Sequence, residues 1–264
     1  MPQGLRIYSC SHSFHEFVYD MLAEMADAAG IKDHRKAGVS KIGGSRVVQF
    51  WDIPDENPVK AGLRAGAIDV LMLSPIWLPD PGIENFAMLA VEHKPDVRVT
   101  IQEYWLPNDE FEPIYPLQTG KIVDHNATTI ARLREQHELY YQVMDNHVRG
   151  INAKIGKDTV LVAPTGQAVV ALREKIIEGA APGIKTQAEL FTDSWGHATA
   201  PIKVLASYCH FAVVYKRSPV GLPMPTFLLE ATNSDWKNDT LNRLLQELAW
   251  DAATHHPLSG VEST

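Results

Sequence analysis

The run Ile68-Asp69-Val70-Leu71-Met72-Leu73 restricts the fold of this chain more than any other stretch. It is nearly continuous in apolar residues instead of alternating, so the strand it predicts must be buried on both faces. It stops at Ser74-Pro75, and a helical pattern follows from Pro81 to His93. Leu5 to Ser11 and Asp158 to Ala163 contain similar apolar runs, and Val97 to Gln102 reads as a further strand, each followed sooner or later by apolar residues at three-and-four spacing. Strands of this kind, alternating with helices, need right-handed crossovers and a parallel sheet covered on both sides. An α/β fold of four or five strands is therefore expected.

The remaining segments fit around that frame. Phe14, Phe17, Val18, Met21, Leu22 and Met25 share one face of a first helix that Gly30 closes. Ile31 to Lys41 is polar and reads as a loop, and a Gly43-Gly44 pair follows it. Residues 104–125 carry Trp105, Pro107, Pro113, Tyr115 and Pro116, and are too long for a bare connection, which suggests a lid or binding loop. Helices are expected from Thr128 through Ile151, from Gln167 to Glu178, and from Thr199, as N-cap, to Lys216. A last amphipathic helix is expected over 234–253, with a frayed tail from His255. No linker composition or repeat divides the chain, so residues 1–264 are read as one domain with a core of about 5–221.

Composition excludes some classes. A net charge of −8 argues against a nucleic-acid or anionic-membrane surface. No apolar run approaches the ~20 residues that span a bilayer. No basic-then-apolar leader precedes the first strand, so a cytoplasmic protein is expected, or an exported one that has lost its leader. Cys10 and Cys209 fall in expected buried elements and suggest neither a disulfide scaffold nor a zinc site. Nothing in the sequence sets an oligomeric state.

The chemistry centres on the turn after the first strand, Cys10-Ser11-His12-Ser13-Phe14-His15-Glu16. Such a turn lies at the carboxyl edge of a parallel sheet, where α/β proteins place nucleophiles and phosphate cradles. Ser13 with Glu16 also fits a capping box, the structural alternative. As a nucleophile, Ser13 (or Ser9 or Ser11) needs a base within hydrogen-bond reach. His197 is the candidate, late in the chain and just before a helix, with Asp193 to orient its ring. An exposed Asp/His loop pair is the plainer reading of those two. Gly44 offers a backbone N–H for an oxyanion, or is simply part of a turn.

Taken in order, these pieces resemble the SGNH/GDSL hydrolases. Ser11-His12-Ser13-Phe14 is similar to a Gly-Asn-Ser-Phe variant of that family's serine block, Gly44 to its glycine block, and Asp193 with His197 to its Asp-x-x-His block. The run Ser207-Tyr208 to Ser218-Pro219-Val220-Gly221 resembles bacterial members with that variant. The resemblance covers roughly residues 5–221. It implies a three-layer α/β/α sandwich with a flavodoxin-like sheet of about five strands. It also implies Ser13 as nucleophile, His197 as base, Asp193 as orienter, and the N–H groups of Ser13 and Gly44 as oxyanion donors, with no cofactor. The implied activity is hydrolysis of small acyl esters, an O-acetyl group on a carbohydrate being the expected substrate.

Three positions depart from the family pattern. Ser11 stands where the first block has glycine, His197 follows Asp193 by four positions instead of three, and no Gly-x-Asn-Asp block follows the middle strand. Gln102 is the expected substitute for the missing side-chain amide. His12 is expected to line the site, and Trp77, Trp105, Tyr104, Tyr115 and Trp195 either line it or cover the core. Two competing functions follow. One is a non-catalytic carbohydrate- or ligand-binding protein on the same scaffold. The other is a metal-dependent hydrolase using His12, His15, Asp193 and His197.

Overall fold

The computed structural model describes residues 4–54, 57–113 and 121–262. Five parallel strands, β1 (Arg6–Ser11), β2 (Arg35–Lys41), β3 (Val70–Leu73), β4 (Arg98–Gln102) and β5 (Val160–Ala163), form one sheet in the order β2-β1-β3-β4-β5. That is the order of flavodoxin-like doubly wound sheets. Strands β3, β4 and β5 lie at its centre and far side, buried almost throughout, although β4 carries Thr100 and Gln102 among its buried residues.

The sequence reading misses β2. Arg35-Lys36-Ala37-Gly38-Val39-Ser40-Lys41 is polar because it is an edge strand, largely exposed, with charged side chains that blunt an open edge. The opposite edge is covered by the chain's own tail. Val162 N–H donates to the Leu258 carbonyl at 2.9 Å, and Leu258, Ser259 and Val261 are buried, so residues 256–261 are packed where fraying was expected.

Helices flank the sheet in an α/β/α arrangement. Helix α1 (Val18–Ala28) buries Val18, Met21, Leu22, Met25 and Ala26, the stripe its sequence predicts. The short helices α2 (Val47–Trp51) and α3 (Pro58–Arg64) pack on α4 (Pro81–His93), which meets the long α5 (Ile130–Ile155). Helix α6 (Thr165–Ile177) touches α5, α7 (Ala200–Tyr215) and, beyond the short α8 (Thr226–Leu229), α9 (Asp239–His255). Helix α7 is buried nearly all round because α1 and α9 pack on it and it lies against β4 and β5. Thr199 stands at its N-cap position without a side-chain cap; its hydroxyl donates to the Glu189 carbonyl. Cys10 and Cys209 are both free and buried. No helix among the described residues is long and apolar enough to cross a membrane.

Every functional candidate sits at the carboxyl edge, so the loops there need anchoring. Asp80 supplies one anchor. It is fully buried, and its carboxylate accepts from Val47 N (2.7 Å), Val48 N (2.9 Å) and Gly82 N (2.9 Å), capping α2 and α4 together. Burial pushes its carboxyl above the usual range despite those bonds and Arg46. Asp80→Ala strands three buried or half-buried donors and is expected to lower stability by about 2–4 kcal/mol. Asp80→Asn, which keeps one acceptor, is expected to lose less. Urea unfolding midpoints read both; an Ala variant as stable as the parent would refute the double cap.

Candidate active site

The serine turn does not form a capping box. His12 carbonyl accepts from His15 N (2.8 Å) and Glu16 N (2.9 Å), and α1 begins only at Val18, with Phe17 at the N-cap and no side-chain cap. Ser13 is left exposed on the outside of this turn. Its Oγ lies 3.0 Å from His197 Nε2, across 184 residues of chain. His197 Nδ1 in turn lies 2.6 Å from Asp193 Oδ2. The structure thus brings together a hydroxyl, an imidazole and a carboxylate in the relay order that activates a serine.

The four-residue gap between Asp193 and His197 closes through a compact turn. Asp193 Oδ1 accepts from the main-chain N–H groups of Trp195 (3.0 Å), Gly196 (3.1 Å) and His197 (3.1 Å), which leaves Oδ2 for the imidazole. Gly196 makes the extra residue possible: its φ of +92° lies where L side chains rarely go. The ends of the loop are pinned by the Phe191–Ala198 bridge and by Thr192 N–H on the His197 carbonyl. Burial raises the Asp193 carboxyl, but the hydrogen bonds and charge of His197 outweigh it, and the group is held below its ordinary range.

The residues around Ser13 fix its peptide instead of facing substrate. His12 is buried; its Nε2 donates to the Ser74 carbonyl (2.9 Å), with Tyr104 Oη 3.1 Å away, so Nδ1 is free to accept Phe14 N–H (3.3 Å). Burial, aided by His197, lowers its pKa to about 4. Gln102 is fully buried and both ends of its amide are engaged: Nε2 donates to the Phe14 carbonyl (3.0 Å) and Oε1 accepts from His210 Nε2 (3.1 Å). The expectation that Gln102 offers an amide to an oxyanion is therefore corrected; it is a brace for the serine turn.

Glycine 44 is exposed in the turn between β2 and α2, with φ of +58°. Ile42 N–H donates to the Ser11 carbonyl at 3.1 Å, which sets this turn beside the serine turn. Trp77, Tyr104 and Trp105 are buried, and Tyr115 lies outside the described residues. Trp105 stacks on Phe14 and donates from Nε1 to the Gly196 carbonyl at 2.8 Å, so it joins the serine turn to the histidine loop. Phe14 also packs on the His197 ring. Trp195 is half-buried and lies nearly parallel to the His197 ring, 6.3 Å from it.

The four residues of the metal-site reading are not gathered. His12 faces Ser74 and Tyr104, while His15 points into the core against Ser9 and the ring of His210. No group of three or more His, Cys, Asp or Glu among the described residues is arranged to hold a metal ion.

Sequence reasoning missed one set of residues. Asp109 is buried and paired bidentately with Arg173 (2.6 and 2.9 Å), and also accepts from Thr128 Oγ1 and contacts His125. Burial raises the Asp109 carboxyl, but hydrogen bonds from His125 and Arg173 and their charge hold it far below its usual range. Arg173 follows the apolar run Ala168 to Leu172 on α6 and is itself buried, but Glu174 and Lys175 beside it make it read as part of a charged, solvated stretch.

No protein-family model matches the chain, and no curated protein does. Among solved structures, the chain is similar to the 1.50 Å crystal structure of a DUF4886 family protein from Bacteroides uniformis ATCC 8492. The TM-score is 0.59 and the identity 13%, over 96% of this chain and 95% of that one. At that identity the likeness shows the fold alone.

The buried histidines set an acid limit on the fold. Burial lowers His12 to about 4, His137 to about 4 and His210 to about 3, and drives His15 well below its ordinary value. Unfolded, each titrates near 6.5. The unfolded state therefore takes up protons first, and stability that is complete above about pH 6.5 is lost as pH falls toward 4. At about 1.4 kcal/mol per unit, His12 alone accounts for roughly 3 kcal/mol. Urea midpoints are expected to fall steeply from pH 7 to pH 5; a flat profile would show that these rings accept protons in the fold.

Proposed function

We propose that this chain is a serine hydrolase of the SGNH type that cleaves small acyl esters through an acyl-enzyme. The observation that carries the reading is the Ser13–His197–Asp193 relay, with Ser13 Oγ 3.0 Å from Nε2 and Asp193 Oδ2 2.6 Å from Nδ1.

The chemistry follows from the atoms. Asp193 fixes the His197 tautomer with the proton on Nδ1, so Nε2 carries the lone pair that faces Ser13. As Oγ attacks the ester carbonyl carbon, its proton passes to Nε2, and Asp193 stabilises the imidazolium. The carbonyl π electrons move to oxygen, where the main-chain N–H groups of Ser13 and Gly44 are the proposed donors. Collapse expels the alcohol, which takes the proton from Nε2. Water then repeats the sequence on the acyl-serine, releasing the acid and restoring the hydroxyl.

The substrate class follows from the surroundings of the serine. Ser13 is exposed and Trp195 presents a half-buried ring beside His197, which suits a small acyl group carried on a larger alcohol such as a sugar. The family resemblance points to an O-acetyl ester.

The test is turnover of p-nitrophenyl acetate and of an acetylated sugar, with covalent labelling by a fluorophosphonate. Ser13→Ala and His197→Ala are each expected to lose at least ~10³-fold in kcat/KM while keeping the parent's unfolding midpoint. Labelling is expected to map to Ser13, and a chelator to leave turnover unchanged. A folded parent that neither turns over esters nor takes the label would sink the reading. Retained binding of the sugar in that case would point to a binding protein on this scaffold, and loss of turnover on chelation to metal-dependent hydrolysis.

A further inference from the structure

The acid of the relay is exposed, with nearly half of the Asp193 side chain open to solvent, yet its loop is held from below by a buried network. All three carbonyls at the base of the turn find donors from residues 105–125. Trp105 Nε1 donates to the Gly196 carbonyl (2.8 Å), Asn108 N–H to the Trp195 carbonyl (3.2 Å), and His125 Nε2 lies 3.1 Å from the Asp193 carbonyl. His125 is the one of these tied to buried charge. Its Nδ1 lies 3.0 Å from Asp109 Oδ2, and Arg173 binds both oxygens of that carboxylate and the His125 carbonyl (3.0 Å). Phe191 closes the face of the His125 ring, at 4.2 Å between centroids.

Both acceptors facing His125 are acceptors only, a main-chain carbonyl and an ionised carboxylate, so both bonds form only when the ring carries two protons. We propose that His125 is a positioning residue for the reaction: it fixes the Asp193 carboxylate, and through it His197, by holding the Asp193 carbonyl against the buried Asp109–Arg173 pair. This rests on Asp193 and His197 being the acid and base of the relay. The backbone supports the assignment. Asn108 (φ +55°) and Asp109 (φ +56°) both adopt the left-handed conformation, costly for residues with a β-carbon, in the turn that delivers Asp109 to Arg173 and Asn108 N–H to Trp195.

Two variants separate positioning from mere support. An asparagine amide reaches where Nδ1 stood and a glutamine amide where Nε2 stood, so His125→Asn keeps the Asp109 bond and His125→Gln keeps the bond to Asp193. The NMR titration of His197 reads the outcome without needing turnover. In His125→Asn its pKa is expected to move most of the way to the value in Asp193→Ala, and in His125→Gln to stay near the parent. Ester kcat is expected to drop about 10–100-fold in His125→Asn with KM little changed, and to recover within about threefold in His125→Gln. Added to Asp193→Ala, His125→Asn is expected to change neither quantity further.

A folded His125→Asn whose His197 titrates as in the parent overturns the proposal. So does a further loss in the Asp193→Ala background. Should His125→Asn not fold, the parent itself decides: an Nε2 of His125 without a bound proton at pH 7, read from its ¹⁵N shift, overturns it. The titration shifts are expected whether or not an ester is hydrolysed, so failure of the esterase reading leaves a different signature from failure of this one.

Discussion

The carboxylate of Asp193 organises the carboxyl edge. One oxygen gathers three consecutive main-chain N–H groups and folds residues 193–197 into a turn; the other meets the imidazole that this turn carries. Shape and electrostatics thus depend on the same group. A carboxylate that accepts several N–H donors is held ionised, which is what an orienting acid requires, and the donors come from its own loop. The loop in turn cannot lose the carboxylate without losing its conformation. This coupling allows a half-exposed acid to hold a fixed place, because its own backbone supplies the order that burial usually gives.

The serine turn is held in the opposite way, by polar groups deep in the core. His12 takes the Phe14 N–H and Gln102 the Phe14 carbonyl, so the residue after Ser13 is gripped on both sides. Gln102 passes the contact on to His210 of α7, and His12 passes it to Ser74 at the end of β3. With no carboxylate against them, the buried rings of His12 and His210 are tolerable only while they stay neutral. The phenyl ring of Phe14 then meets both Trp105 and His197, so the two halves of the relay share one apolar contact.

How much of this was legible in the sequence depended on periodicity. Strands β3 and β5 announce themselves because burial on both faces demands continuous apolar residues, while β4 shows as an alternating Val-Arg-Val-Thr-Ile-Gln stretch rich in β-branched residues. Strand β2 does not, because an exposed edge strand has no such demand and its Arg, Lys and Ser read as loop. The tail fails for a related reason: Leu258 and Val261 are two apolar residues in a polar context, and only the open edge of β5 makes them useful. At the site, residue type and place on the chain left Ser9 and Ser11 open beside Ser13, and the order of the blocks in the family resemblance singled out Ser13 with Asp193 and His197. Gln102, expected to offer its amide to an oxyanion, instead bonds the Phe14 carbonyl and His210, since the direction of a buried amide is set by neighbours far away in sequence. Asp109, His125 and Arg173 stayed hidden because their spacing along the chain has no period.

Strain is concentrated where that hidden network meets the loop. Two successive left-handed residues, Asn108 and Asp109, cost of order 1–3 kcal/mol each. The buried Asn108 amide adds to this, since neither its nitrogen nor its oxygen finds a partner among the described residues. A turn of this length has easier routes, and a fold under no other demand would take one. What the strained route delivers is a doubly bonded Asp109–Arg173 pair directly beneath the Asp193 loop, with His125 between. Breaking that pair would leave an uncompensated buried charge, a penalty of about 3–5 kcal/mol, of the same order as the backbone strain. The ion pair therefore helps to hold the conformation, and it sits directly beneath the loop that carries Asp193.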